Sequence, residues 1–370
     1  MQRAAGVQRA GVSAALPDFP WDQLAGAKAR AGGYPGGMVD LSMGTPVDPV
    51  PPVVRAALAG AADTPGYPLT AGTPALRAAM TGWVARACAA APGFDVLPTI
   101  GSKELVAALP AQLGLGPGDT VVIPRVGYPT YEVGALLAGT RVVRADALTA
   151  LGPARVALVW LNSPANPSGA VLPPAHLRKV VQWARERGAV VASDECYLPL
   201  GWESEPASVL STCDGDYTGV LAVHSLSKRS NLAGYRAGLV AGDPALVAEL
   251  LAVRRHAGLM LPAPVQAAMA AALADEAHVD EQRQRYRARR AALRPALVAA
   301  GFRVDESGAG LYLWVTRDED CWSTVDWFAA RGILVAPGTF YQPGGSRHVR
   351  VALTATDAGV AAAVHRLGAA

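Results

Sequence analysis

The sequence predicts an α/β protein, and three observations carry that prediction. Short apolar runs of strand length, residues 156–161, 189–193 and 220–223, each stop abruptly at a polar cluster. Stretches of helical periodicity alternate with them. The chain, 370 residues and 51% hydrophobic, has core enough for one large domain and a smaller one. Open α/β sheets bind ligands outside the carboxyl ends of their strands, so the polar clusters mark the candidate site.

In chain order, residues 19–28 read as a short amphipathic helix before a Gly/Pro-rich turn at 32–37. The next stretch, 39–46, sets Gly44 between short apolar residues and a proline, where a missing Cβ lets the backbone approach a ligand. Helices at 53–61 and 74–90 flank a loop that carries Tyr67. A strand at 95–100 feeds a helix at 102–113 through Gly101, Ser102 and Lys103. The unpaired N–H groups of that helix start favour a phosphate, and Ser102 reads equally well as a plain helix cap, the two being compatible. A strand at 120–123 leads to Arg125 and Tyr128. An aromatic ring so placed can stack on a planar ligand, adding roughly 0.5–1.5 kcal/mol beyond area burial.

A strand at 140–145 precedes the run 156–161, which ends in an Asn-Pro, Ser-Gly turn containing Asn166. The helix at 174–187 sets Leu177, Val180, Val181 and Ala184 on one face. It delivers the strand 189–193 and then Asp194 and Tyr197. A carboxylate directly after an apolar strand is costly to bury unless a cation pairs with it, the alternative being a turn or helix-cap residue. Beyond the strand at 220–223 come Ser225, Ser227, Lys228 and Arg236. A strand at 238–240, a helix at 244–257, a long helical region at 265–300 and strands at 310–315 and 348–354 complete the chain, with Arg350 inside the last. The arginine run between 280 and 290 reads as a solvated helix face.

Lys228 stands out by composition. Of 33 basic residues only Lys28, Lys103, Lys179 and Lys228 are lysine, so arginine serves almost everywhere that a plain positive charge suffices. A lysine amine can lose its proton and attack a carbonyl, which a guanidinium does not do. The remaining composition excludes several classes. A net charge of +3 with scattered arginines argues against nucleic acid. The four cysteines form no C-x-x-C pair, which points to reduced thiols, a cytoplasmic protein and no metal. No apolar run reaches the roughly 18 residues of a membrane span. The first sixteen residues lack the apolar core of a signal peptide and read as a frayed tail.

Ser225-x-Ser227-Lys228 followed by Gly234-x-Arg236-x-Gly238 resembles the lysine segment of fold-type I pyridoxal-phosphate aminotransferases. The resemblance runs from about residue 19 to the end of the chain. It implies a large domain with a mostly parallel seven-stranded sheet sandwiched by helices, plus a small α+β domain. The corresponding division is a tail at 1–18, an N-terminal segment and active-site loop at 19–50, a cofactor domain at 51–265, and an interdomain helix with the small domain at 266–370. It also implies pyridoxal 5'-phosphate as cofactor, amino acid and keto acid substrates, and a homodimer.

In that family's terms, Lys228 forms the Schiff base and shuttles the proton. Gly101, Ser102, Lys103 (through its backbone), Ser225, Ser227 and Arg236 surround the phosphate, joined by Tyr67 from the other subunit. Tyr128 stacks on the ring, Asn166 and Tyr197 bond its 3-hydroxyl oxygen, and Asp194 pairs with its nitrogen. Gly44, Asn166 and Arg350 meet the substrate, Arg350 through the α-carboxylate. Residues 19–22, 41–51, 225–236 and 348–354 further resemble the succinyldiaminopimelate transaminases of bacterial lysine synthesis, which exchange an amino group between N-succinyl-LL-2,6-diaminopimelate and 2-oxoglutarate. A second cation for the acyl tail is then needed, and Arg125, or else Arg254 or Arg255, is the candidate.

Other readings compete. A different aminotransferase or a C–S lyase would keep every cofactor residue. A pyridoxal-phosphate transcription regulator needs a DNA-binding module, and only a short tail precedes Phe19. A nicotinamide oxidoreductase needs a glycine fingerprint after its strand; Gly114, Gly116 and Gly118 lack the third glycine position and precede the strand.

Overall fold

The computed structural model describes residues 11–151, 155–341 and 345–369. Residues 1–10 of the expected tail lie outside them. Thirteen strands are described: β1 (Val39–Asp40), β2 (Asp95–Ile100), β3 (Thr120–Ile123), β4 (Arg141–Arg144), β5 (Val156–Asn162), β6 (Val190–Asp194), β7 (Val220–Ser225), β8 (Ala237–Gly242), β9 (Arg303–Asp305), β10 (Tyr312–Thr316), β11 (Ile333–Leu334), β12 (Ala336–Pro337) and β13 (Val349–Ala352).

Seven of them form one mixed sheet in the order β2-β8-β7-β6-β5-β3-β4. Only β8 runs against the rest: it is antiparallel to both of its neighbours, while every other pairing is parallel. Six strands therefore end on the same edge. The expected α/β fold, mostly parallel and seven-stranded, is the one observed.

Both faces of the sheet are covered, because its strands are apolar on both sides. Leu97, Ile123, Trp160 and Val223 pack against the helices Gly101–Gln112, Thr130–Leu137 and Pro244–Ala257. Val96, Ala222 and Leu239 pack on the opposite face with Leu76, Met80 and Trp83 of the helix Pro74–Ala87 and with Met269 of the helix Ala263–Ala274. A four-stranded antiparallel sheet, β12-β13-β10-β9, organises the second apolar cluster. Asp48 pins the N-terminal segment to this part, accepting from Arg289 at 2.6 and 2.8 Å and from Gln282 at 2.8 Å.

The structure revises several local expectations. Residues 20–24 form a 3-10 turn begun by Pro20, and the α-helix follows at Ala25–Gly32. The long helical region divides at Asp275 and Glu276 into Ala263–Ala274 and Ala277–Ala299, with Asp275 Oδ1 accepting the Ala277 N–H. The first of these packs on the large sheet and the second enters the small-sheet cluster, so residues 266–274 sit with the large sheet. Helix Thr130–Leu137 was not among the expected elements. Gly134 is a contact glycine: a Cβ there would lie 2.7 Å from the Val106 carbonyl oxygen of the neighbouring helix. Among the described residues no helix is long and apolar enough to cross a membrane.

Arg254 is fully buried and bonds both oxygens of Glu104, at 3.0 and 2.9 Å. It serves the fold and is withdrawn as a cation for substrate. Removing one partner of such a pair strands the other, at a cost of about 3–5 kcal/mol. Glu104→Ala should therefore lower the unfolding free energy by about that much in urea titration, whereas Arg254→Met should cost less; similar small losses for both would show that the pair is not internal.

Candidate active site

The co-directional strands deliver the predicted polar residues to one edge. Asn162 closes β5 beside Asp194 of β6, Asp194 pairs with Val223 of β7, and Ser225 pairs with Gly238 of β8. Register alone thus sets Asp194 between the turn after β5 and the lysine segment after β7. A cavity of about 250 Å³ opens there, lined by Ser102, Lys103, Tyr128, Asn166, Asp194, Tyr197, Ser225, Ser227, Lys228, Arg236, Arg350 and Gly44. A larger one, about 700 Å³, lies between the turn 165–172 and the small sheet and contains none of the expected site residues.

Lys228 sits on a single helical turn, Leu226–Arg229, capped by Ser225 Oγ, which accepts the Ser227 N–H at 3.1 Å. Withdrawal from water lowers its ammonium to about 8, with the neighbouring Arg350 and Arg236 acting in the same direction. Near-neutral amines of this kind are nucleophiles and proton carriers. Asp194 is buried, and burial raises its carboxyl above the ordinary range. Tyr131 Oη donates to Oδ2 at 2.8 Å and the Cys196 N–H to Oδ1 at 3.2 Å, and both oppose that rise. Among the described residues no cationic side chain bonds this carboxylate, so it is poised to pair with a cationic ligand.

The helix Gly101–Gln112 starts at Gly101, in the left-handed region at φ +70°. A Cβ on Gly101 would lie 2.4 Å from Arg236 Nη2, so the missing side chain lets the guanidinium lie directly against the helix start, where Ser102 and Arg236 line the same cavity. That is an anion cradle. Ser102 is not the helix cap; it lies inside the first turn, with Ile100 at the cap position.

Arg350 is buried, with Nη1 donating to Asn166 Oδ1 at 2.9 Å and Nη2 to the Ser42 carbonyl at 2.6 Å. Its guanidinium lies 3.9 Å from the centre of the Tyr312 ring. Asn166 is itself held by Asn162, whose Oδ1 accepts the Asn166 N–H at 2.7 Å and whose Nδ2 donates to the Asp194 carbonyl at 2.9 Å. Because Arg350 occupies Asn166 Oδ1, the Asn166 amide N–H pair is left for a ligand.

Tyr67, Arg125 and Arg255 are not brought to this cavity. Tyr67 is 96% exposed, which within one chain keeps it away from the site. Arg125 is exposed on the turn after β3, with its backbone N–H bonded to Asp146 at 2.9 Å, and does not line the cavity. Arg255 is exposed at the end of the helix Pro244–Ala257 and does not line it either. Conversely, Tyr131, Asn162, Cys196 and Tyr312 line the cavity without having been singled out, and so do Phe19 and Trp21. Tyr131 was hidden with its unexpected helix. Tyr312 Oη lies 3.0 Å from Tyr197 Oη, a pairing across 115 positions that no local pattern announces.

A family model for aminotransferase class I and II matches residues 36–367. A probable aminotransferase of Mycobacterium tuberculosis is 66% identical over 97% of this chain and 87% of its own. The 4-dedimethylamino-4-oxo-anhydrotetracycline transaminase of Streptomyces rimosus is 56% identical over 95% of this chain and 99% of its own. Among solved structures, a probable N-succinyldiaminopimelate aminotransferase from Thermus thermophilus superposes with a TM-score of 0.85 at 29% identity, covering 95% of this chain and 100% of that one.

Gly44 tests the packing of the site. A Cβ there would lie 2.1 Å from Tyr312 Oη. Gly44→Ala should break the Tyr197–Tyr312 hydrogen bond, visible as a displaced Tyr312 in a crystal structure, and should cost about 1–3 kcal/mol of stability. An unmoved Tyr312 would show that the loop yields instead.

Proposed function

The chain belongs to the class I and II aminotransferases, a family that uses pyridoxal 5'-phosphate, and we propose that it moves an amino group between N-succinyl-LL-2,6-diaminopimelate and 2-oxoglutarate. The residues present fit the cofactor: a helix start and the Arg236 guanidinium side by side on the cavity wall, a buried carboxylate with no cationic partner among the described residues, and a lysine with a lowered pKa. When bound, the cofactor supplies an electron sink for the bond to the substrate's Cα hydrogen.

The chain's own residues would act as follows. The helix start at Gly101, Ser102 and Lys103, with Ser225, Ser227 and Arg236, holds the phosphate. Tyr128 covers one ring face, and Asn166 and Tyr197 bond the 3-oxygen. Asp194 keeps the ring nitrogen protonated, with Tyr131 and the Cys196 N–H fixing the carboxylate. The Lys228 amine carries the proton between the substrate Cα and the cofactor. Arg350 meets the α-carboxylate beside Gly44, and a second copy of the chain supplies Tyr67, making the working unit a homodimer.

One observation carries the substrate reading. Four cations line the cavity, Lys103, Lys228, Arg236 and Arg350; the side chains of the last three have roles above, whereas Lys103 serves the phosphate through its backbone alone. Lys103, whose ammonium lies 5.6 Å from the centre of the exposed Phe19 ring at the mouth, is the one left for a distal carboxylate, in place of Arg125, Arg254 or Arg255. A second reading follows from the aromatic rim itself. Phe19 and Trp21, 5.8 Å apart, suit a large planar ketone of the kind named for the Streptomyces rimosus relative.

The deciding experiment mixes the loaded enzyme with N-succinyl-LL-2,6-diaminopimelate, glutamate and unacylated diaminopimelate and follows the loss of its yellow absorbance. Bleaching by the first two alone supports the proposal; bleaching by glutamate alone overturns the acyl substrate and leaves the planar-ketone reading. Lys103→Met should raise KM for glutamate about tenfold or more, as for a lost charged hydrogen bond, and spare substrates with no second carboxylate. Lys228→Ala should lower kcat roughly a hundredfold to ten-thousandfold. In cofactor-free protein the lowered Lys228 pKa means that the reactive neutral amine accumulates as pH rises through about 8. Borohydride trapping of the cofactor on Lys228 should accordingly have its midpoint there, and a midpoint near that of a solvated lysine would remove the burial argument.

A further inference from the structure

Directly behind the site lies a buried group that the proposed chemistry does not use. Cys88, at the end of the helix Pro74–Ala87, meets Glu195 and His224, the neighbours in sequence of Asp194 and Ser225. Cys88 and Glu195 are 1% exposed and His224 is 2%, so all three are withdrawn from bulk solvent. Cys88 Sγ lies 3.4 Å from His224 Nε2, which lies 3.6 Å from Glu195 Oε2, and all three ligand-type atoms fall within 4.8 Å of one another.

Their hydrogen bonding does not close. Glu195 Oε1 accepts the Val209 N–H at 2.7 Å, but Oε2 has no hydrogen-bond partner. A buried carboxylate oxygen without a donor is expensive. The imidazole is already oriented, by a hydrogen bond to the Glu195 backbone and by its edge-on contact with Trp83 at 5.0 Å. Nε2, Oε2 and Sγ thus converge in one buried place, with the Ser193 and Ser208 hydroxyls beside the carboxylate.

We propose that Cys88, Glu195 and His224 form a structural site for a divalent zinc-class metal ion, tying the end of the helix Pro74–Ala87 to the strands that carry the active site. Zinc bonds of about 2.3 Å to sulfur and 2.0–2.2 Å to nitrogen and oxygen, at tetrahedral angles, separate the ligand atoms by about 3.4–3.6 Å. The two measured separations match that spacing. Thiolate, imidazole and carboxylate suit zinc rather than magnesium or calcium. One thiolate and one carboxylate also balance a divalent charge, as burial requires. The Ser208 hydroxyl bonds both Cys88 and Glu195 and so holds two of the three ligands in place. The backbone bond made by His224 is the support that metal-bound histidines use. Since the ligands are closed off from solvent, the ion enters as the chain folds and leaves slowly.

The test is metal content. Full-length protein expressed with added zinc, loaded with cofactor and desalted through chelator, should hold about one zinc per chain. Growth with cobalt should give a thiolate-to-metal absorption band. Cys88→Ala with His224→Gln should lower retained metal at least about tenfold. Folded wild-type protein retaining under about a tenth of an equivalent, with no such band in the cobalt form, overturns the proposal, and this measurement stands even if the variant fails to fold. Metal retained undiminished by a folded variant places it elsewhere and overturns it equally.

Discussion

The architecture depends on keeping the carboxylate of Asp194 out of water. It ends β6 at the centre of the large sheet's working edge, buried, with a tyrosine hydroxyl and one backbone N–H as its donors. Burial pushes its carboxyl above the ordinary range, and the two donors act against that. The arrangement requires Tyr131 on a helix packed closely enough to reach across. Gly134 on that helix allows the approach, since any side chain there would strike the Val106 carbonyl. A single electrostatic requirement thus runs back through a helix to the spacing between two helices.

Arg350 couples the rest. Its two terminal nitrogens bond the turn after β5, through Asn166, and the N-terminal loop, through Ser42, while the strand that carries it belongs to the small sheet. Three distant parts of the chain therefore share one guanidinium. Any ligand that competed for this guanidinium would disturb contacts to both the large sheet and the loop. Gly44 and Tyr312 occupy the same junction, where a missing Cβ makes room for a hydroxyl.

Much of this was legible because it is local. An apolar strand and the polar residue that ends it are adjacent in the chain, so Asp194, Asn166, Ser225 and Lys228 could be placed on one edge from the sequence. The scarcity of lysine made Lys228 conspicuous. Less legible were the short helix Thr130–Leu137 and the break at Asp275, because alanine, glycine and proline occur too widely here for propensity to discriminate. Arg125 was preferred to Arg254 and Arg255 only for its closeness in sequence to Tyr128; burial and the bond to Glu104 separate Arg254 from the others.

By itself, the sequence determined the fold class and the chemistry at the end of each strand, because both are set by residues within a few positions of one another. Tertiary structure alone decided which distant groups meet: Tyr131 with Asp194, Tyr197 with Tyr312, Cys88 with His224, Lys103 with the mouth of the cavity. Those contacts span 63 to 136 positions where two side chains bond directly. They follow from strand register and helix packing, which are properties of the whole assembled core rather than of any one segment.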